Sequence, residues 1–261
     1  MLHHLEATIV ETNEIYPGTF VTWYRGGELT HGAAPGQFVM VQPHSRSGTS
    51  LDPLLPRAFS YYRFRERQGE REFALLYAVV GDATARMAAQ APGESTLITG
   101  PLGHGFQINA AVGNLLLVGG GVGIAPLVAL ADEQIAKGRS ITLCFGARDA
   151  NGVFPAEMLP SEVEYAVATE DGSMGQSGLV TELFAEYLPW ADQSLACGPT
   201  PMFRSMAEVV RRDGMRRQVQ ILMEAEMACG LGICSGCAVF TRKGVRLCCK
   251  DGPRFELLDV F

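Results

Sequence analysis

The chain has 261 residues, 47% hydrophobic and 19% charged, enough apolar material for two modest domains or one large one. Its net charge of −7 and pI near 5.3 argue against nucleic acid as a partner. An odd cysteine count of 7, and an N-terminus, MLHHLEATIVETNEI, without a basic segment leading into an apolar core, fit a reducing cytoplasm.

In chain order, residues 1–108 read as strands. LEATIVE, GTFVTWY, GQFVMVQ, RAFSYYR and REFALLYAVV are short β-rich runs between Gly, Pro and charged turns, the pattern of an antiparallel barrel or sandwich. From about residue 109 the texture changes. The runs LLLV, ITLCFGA, YAVATE and SLACG alternate with helical stretches such as APLVALADEQIAKG, GLVTELFAEYL and TPMFRSMAEVVRRDG, which predicts a parallel sheet in an α/β domain over 109–222. The apolar run from Leu115 to Ala131 is broken by glycines and a proline, so it reads as strand, turn and helix, not as a membrane span. Residues 223–261 form a glycine- and cysteine-rich tail too short for a core of its own.

The tail holds the most specific signal. Cys229, Cys234 and Cys237 are spaced C-x4-C-x2-C, the plant-type ferredoxin spacing for a 2Fe–2S cluster, and a fourth cysteine follows after Cys237. The interleaved Gly230, Gly232 and Gly236 allow the tight backbone that a cluster loop needs. A structural zinc site is the competing reading, although zinc more often takes two short-spaced pairs. Of the adjacent Cys248 and Cys249, only one is needed as the fourth ligand, and ligand chemistry does not choose between them. Neighbours in an extended segment point to opposite faces, so the other would turn away. Cys144, in ITLCF, reads as a small buried hydrophobe.

Four further segments carry nucleotide-binding signals. Gly119, Gly120, Gly121 and Gly123 follow a strand and precede a helix, where glycines let backbone amides approach a pyrophosphate. Pro126 stands where a strict G-x-G-x-x-G would end, and a tight turn without ligand is the plainer alternative. Arg57, Ala58, Phe59 and Ser60, followed by two tyrosines, could pair a phosphate and stack on a flat ring, although an arginine on a strand is usually solvated. Gly100–Phe106 (GPLGHGF) has the look of a loop between domains. Cys197-Gly198-Pro199 lies at the carboxyl end of a strand, where α/β sheets bind ligands; a helix-starting turn with a buried thiol is the alternative.

In order and spacing these segments resemble the ferredoxin–NADP reductase superfamily over about residues 5–222. With the cysteine tail, the whole chain is similar to the electron-transfer subunits of class 1B, NAD-dependent dihydroorotate dehydrogenase. The stretches LPRAFSYYR, LLYAVVGDATARMA, GPLGHGF, GGGVGIAPL, ATEDGSMGQSGLVTELF, ACGPTPM, EAEMACGLGICSGCAV and CCKDGP carry the likeness. The resemblance implies an FAD-binding β-barrel at 1–108, an NAD-binding α/β domain at 109–222 and a 2Fe–2S domain at 223–261. Arg57 to Ser60 would bind FAD, Leu76, Tyr77 and Ala78 would line the flavin, and Ala83 and Thr84 would cradle its pyrophosphate. Ser60 and Cys197 would stand at the reacting centre, and Gly119–Gly123 would take NAD. Ala78 and Ala83 depart from the family, which often has arginine and glycine there, so only their backbone contacts carry over. The family's last cluster ligand sits two residues before a [DE]-G-P triplet, which selects Cys249, ahead of Asp251-Gly252-Pro253. The implied partner is an FMN-containing catalytic subunit in a heterotetramer of two of each, serving pyrimidine biosynthesis in the cytoplasm. The rival is the same electron module in another complex, of sulfhydrogenase or NADH-dependent ferredoxin reductase type. A redox sensor or zinc-stabilised interaction module is the reading from another class. The variant glycine loop leaves NAD against NADP open, with a lean to NAD.

Overall fold

The computed structural model describes residues 2–43, 52–215 and 217–261. Strands β1 (His3–Tyr16), β2 (Thr19–Arg25), β3 (Phe38–Val41), β4 (Arg57–Arg67), β5 (Glu70–Ala78) and β6 (Ser95–Leu102) close an antiparallel barrel in the order β1-β2-β5-β4-β3-β6. Five of these strands coincide with the β-rich runs of the sequence. The sixth, β6, closes the barrel between β1 and β3, and takes in Gly100 to Leu102, which read as loop. Its residues alternate between half-buried and buried, and a Cβ at Gly100 would come within 2.6 Å of Val39 Cγ1. The glycine there therefore answers a close approach of strands, not a turn. A short helix, α1 (Asp82–Ala89), fills the step from β5 to β6.

The second unit is a sheet built from β7 (Asn114–Gly120), α2 (Ile124–Ile135), β8 (Ser140–Ala147), β9 (Val163–Thr169), β10 (Gln176–Ser177), α3 (Val180–Tyr187), β11 (Gln193–Cys197), α4 (Thr200–Asp213) and β12 (Val219–Leu222). Its strands pair in parallel in the order β10-β9-β8-β7-β11-β12. Strand β7 lies centrally, with Leu115, Leu116, Leu117 and Val118 all fully buried. Burial on both faces is why this strand is a continuous apolar run, and each such side chain contributes about 1.5–3 kcal/mol. Helix α4 is amphipathic, burying Met202, Phe203, Met206 and Val210, and ends at Gly214 in the left-handed conformation (φ 69°).

The two units share one core. Tyr62, Ala74 and Leu76 of the barrel pack in the same cluster as Leu115, Leu127 and Val128 of the α/β unit. Helix α2 is apolar nearly all round because it lies between the sheet and β4. At its edge Arg63 Nε donates to Asp132 at 2.9 Å and Arg63 Nη2 to the Met158 carbonyl at 2.6 Å. The Asp132 carboxyl is raised from its ordinary value by burial, which the Arg63 charge opposes. Among the described residues no helix is long and apolar enough to cross a membrane.

The tail folds as β13 (Ala238–Thr241), β14 (Gly244–Leu247), α5 (Cys248–Asp251), β15 (Arg254–Glu256) and α6 (Leu257–Val260). It borrows its core. Cys237, Val239, Cys248 and Cys249 pack against Phe38, Met40 and Leu102 of the barrel, while β15 adds an antiparallel edge to the large sheet beside β12.

Candidate functional site

The sheet order reverses at β7, with β8 and β9 on one side and β11 and β12 on the other. A crevice outside the carboxyl ends of the strands at such a switch point is where open α/β sheets take ligands. There a cleft of about 1020 Å³ opens between the barrel, the sheet and the tail. It is at the upper end of the range for small-molecule sites.

Of the residues singled out in the sequence, Arg57, Ala58, Phe59, Ser60, Leu76, Tyr77, Ala78, Ala83, Thr84 and Cys197 all line this one cleft. Adjacent strands β4 and β5 bring the first seven together. Tyr77 is held by a 2.9 Å hydrogen bond between its hydroxyl and Thr22 Oγ1, and its ring lies 5.6 Å from that of Phe59. The exposed Arg57 rests its guanidinium on the Leu55 carbonyl, Nη1 donating at 2.7 Å. Ala83 and Thr84 occupy the first turn of α1, whose N–H groups lack helical acceptors and favour an anion. Thr84 itself is spent on that turn: its hydroxyl oxygen accepts from Val80 N at 3.0 Å and donates to the Gly81 carbonyl. Burial pushes the Cys197 thiol well above its ordinary value, so it sits at the cleft as a neutral group.

Gly119, Gly120, Gly121 and Gly123 are not cleft-lining; their neighbours Val122, Ala125 and Pro126 are. Three of the four glycines answer packing. A Cβ on Gly123 would lie 2.3 Å from the Cys197 carbonyl oxygen, one on Gly120 2.9 Å from Pro199 Cδ, and one on Gly119 3.2 Å from Leu127 Cδ1. Gly121 alone combines positive φ (55°) with open space around the missing Cβ.

The end of β12 and the tail supply the wall that sequence reasoning missed: Leu222, Met223 to Ala228, Gly236 and Pro253 also line the cleft. Met227, which reads as a loop residue, is one of these. The stretch MEAEMA runs straight into Cys229, and that adjacency was its available signal.

Behind this wall the cysteines gather as two pairs. Cys237 Sγ lies 3.3 Å from Cys249 Sγ, both nearly fully buried. Cys229, near the surface, accepts the N–H groups of Cys234 and Leu231 and lies against the Cys234 thiol. Those backbone donors lower the Cys229 thiol to about 6. Cys249 accepts from Gly232 N at 3.1 Å, but burial and its Cys237 neighbour push it up to about 12. No group of three or more His, Cys, Asp or Glu side chains among the described residues is arranged to hold a single metal ion. Two sulfur pairs are instead what a two-iron rhomb requires, one pair for each iron. Cys248 and Cys249 sit on the short helix α5, not in an extended segment, and still diverge: Cys248 Sγ donates to the Met223 carbonyl at 3.0 Å.

The profile of the iron-sulfur cluster binding domain of dihydroorotate dehydrogenase B matches residues 224–261. The electron transfer subunit of dihydroorotate dehydrogenase B (NAD(+)) from Geobacillus kaustophilus is 33% identical over 265 residues, covering 100% of this chain and 99% of the relative. The chain belongs to this family of electron transfer subunits. Its member from Caldanaerobacter subterraneus subsp. tengcongensis is 36% identical, with 95% of this chain and 93% of the relative covered. Among solved structures, that of an NADH-dependent reduced ferredoxin-NADP oxidoreductase superposes with a TM-score of 0.84 at 29% identity, covering 98% of this chain and 89% of that one. A ferredoxin NADP+ reductase from Neisseria gonorrhoeae with bound FAD and NADP, at 18% identity and a TM-score of 0.64, shares the fold over 84% of this chain and 97% of its own.

Proposed function

We propose that this chain is the electron-transfer subunit of a dihydroorotate dehydrogenase B, delivering electrons from an FMN-containing catalytic subunit to NAD+ in cytoplasmic pyrimidine biosynthesis. FAD and a 2Fe–2S cluster would be its resident groups. Flavin exchanges electrons singly or as hydride pairs, and the cluster carries one at a time. The observation that carries this reading is the cleft itself. One cavity is walled by the barrel's Arg57–Ser60 and Leu76–Ala78, by the sheet's Cys197, and by the segment leading into Cys229.

In this reading Arg57 and the first turn of α1, at Ala83 and Thr84, hold the FAD phosphates. Phe59, Tyr77, Leu76 and Ala78 hold the ring, and Ser60 and Cys197 flank the reacting face. The β7–α2 turn from Gly119 to Gly123 meets the dinucleotide of NAD. Cys229, Cys234, Cys237 and Cys249 ligate the cluster, whose donor set fits as two sulfur pairs. Residues 1–108, 109–222 and 223–261 then correspond to the flavin, nicotinamide and cluster units. The assembly would be a heterotetramer of two chains of each kind.

The likeness to the NADH-dependent reduced ferredoxin-NADP oxidoreductase keeps a second reading in play, the same module in a different complex. Co-purification from the native source, followed by mass spectrometry of the intact complex, separates the two. A dihydroorotate-oxidising FMN chain is the expected partner, and a different catalytic chain would overturn the proposal. In parallel, the isolated chain should reduce dyes with NADH and leave dihydroorotate untouched until that partner is added.

A further inference from the structure

We propose that Cys248 is a positioning residue, its thiol tying the segment that carries Cys249 to the wall of the flavin cleft. The inference rests on the reading of Cys229, Cys234, Cys237 and Cys249 as cluster ligands. The chain carries two adjacent thiols where one ligand is needed, and geometry gives the second a task. Cys248 is completely buried, and its Sγ donates to the backbone carbonyl of Met223 at 3.0 Å. Met223 follows directly on β12 and lines the cleft.

Two backbone hydrogen bonds anchor the same segment. Met223 N donates to the Pro253 carbonyl at 2.8 Å, and His104 N, just beyond β6, donates to the Gly252 carbonyl at 2.6 Å. Glycines make the second approach possible: a Cβ on Gly103 would lie 2.6 Å from Pro253 Cδ and 2.8 Å from the Gly252 carbonyl oxygen. Two of these bonds hold residues 248–253 to Met223 and one holds them to the barrel exit, beside the bond from Cys248 N to the Cys237 carbonyl at 2.9 Å. Of these ties, the one from Cys248 Sγ is made by a side chain, so a substitution can remove it alone. Cys249 is the next residue along, with its sulfur toward Cys237 and the Gly232 N–H. Groups that orient a metal ligand from behind govern how firmly the metal is held.

The test uses the full chain reconstituted with iron and sulfide. Three readouts are followed: iron bound, the rate of iron release to a ferrous chelator, and the electron paramagnetic resonance line positions after dithionite reduction. Cys248→Ala and Cys248→Val, the second keeping the buried volume, should each bind two irons per chain, as one 2Fe–2S cluster requires. Both should release iron about tenfold faster, the lower end of what such supporting contacts are worth, with shifted resonance lines. Cys248→Ser keeps a donor and should behave like the unmodified chain. Unchanged release and lines in both apolar variants would overturn the proposal, and so would a serine variant as labile as the alanine one. Loss of iron in the Cys248 variants, with retention in Cys249→Ser, would make Cys248 a ligand and overturn it too. Should the alanine variant not fold, the valine and serine pair decides. An unmodified chain that takes up no iron would refute the cluster reading itself, a separate result.

Discussion

Alanine at Gly123 should damage the fold, whereas asparagine at Gly121 should spare the fold and impair nicotinamide use. A Cβ on Gly123 would stand 2.3 Å from the Cys197 carbonyl oxygen, 2.6 Å from the Cys197 carbonyl carbon and 2.9 Å from Gly198 N. All three are backbone atoms at the end of β11 and the residue after it, which cannot swing aside as a side-chain tip would. Forcing a methyl group into a packed site costs about 1–3 kcal/mol. In a chain of this size each kcal/mol lowers the melting temperature by about 2–4 °C. Gly121 differs: its φ is 55° and nothing lies within 4 Å of the missing Cβ. Asparagine tolerates that backbone, so Gly121→Asn should melt close to the unmodified chain. Its side chain would project into open space at the carboxyl end of β7, where a dinucleotide would approach. The assay is thermal melting followed by absorbance of bound flavin, paired with the KM for NADH in dye reduction. Gly123→Ala melting like the unmodified chain would refute the packing argument. An unchanged KM in Gly121→Asn would remove the β7–α2 turn from the nicotinamide site.

Three further outcomes are expected. Arg57→Ala should weaken FAD binding by about 1.5–3 kcal/mol, the value of a charge-assisted phosphate contact, with iron content unchanged; an unaltered FAD dissociation constant would make Arg57 a solvated residue. Cys249→Ser should lose the iron that Cys248→Ser keeps, and equal iron in both would show that the thiols substitute for one another. Leu231→Asp and Ile233→Asp should weaken assembly with the catalytic subunit in analytical ultracentrifugation. These side chains are 43% and 78% exposed beside the surface pair Cys229 and Cys234, and an apolar patch at the open edge of a redox centre suits a docking surface; an unchanged complex in both variants would move that surface elsewhere.

Much of the fold was legible because burial imposes the sequence pattern. The run LLLV is a strand buried on both faces, and α2 is apolar nearly all round because it lies between the sheet and β4. Among the elements that escaped, two show local reasons. Strand β6 ends in Gly-Pro-Leu, which reads as a turn, and its glycine is explained only by the Val39 side chain across the barrel. Strand β15 is three residues long and follows a Gly-Pro pair, so its pairing with β12 is a tertiary fact with no periodicity to announce it. At the site, residue types and spacing pointed to Arg57–Ser60 and Cys197, while Leu76, Tyr77, Ala78, Ala83 and Thr84 came from the family resemblance. Residue types and spacing did not separate the packing glycines from Gly121, because that difference lies in what stands opposite each missing Cβ. The segment from Met223 to Ala228 leads into the cysteine stretch but holds no pattern that marks it as a wall, and it joins the site because the tail folds back onto the barrel.

That folding back accounts for a tail without a core of its own. Phe38 lines the cleft and also packs in the cluster that buries Cys237, Cys248 and Cys249. Met40 and Leu102 press on Gly230, where a Cβ would come within 2.6 Å of Met40 Cγ. The barrel therefore supplies, through Phe38, both a wall of the cleft and part of the apolar floor under the buried cysteine pair. A tail with its own core would need more residues between cleft and sulfurs. Here the chain passes from Ala228, on the cleft, to Cys229 in a single step, and from Gly236 to Cys237 in another. Sharing the floor keeps the cleft and the cysteines adjacent. The same economy ties their separation to barrel packing, so an enlarged side chain at Gly230 would disturb the cysteine loop and the cleft wall together.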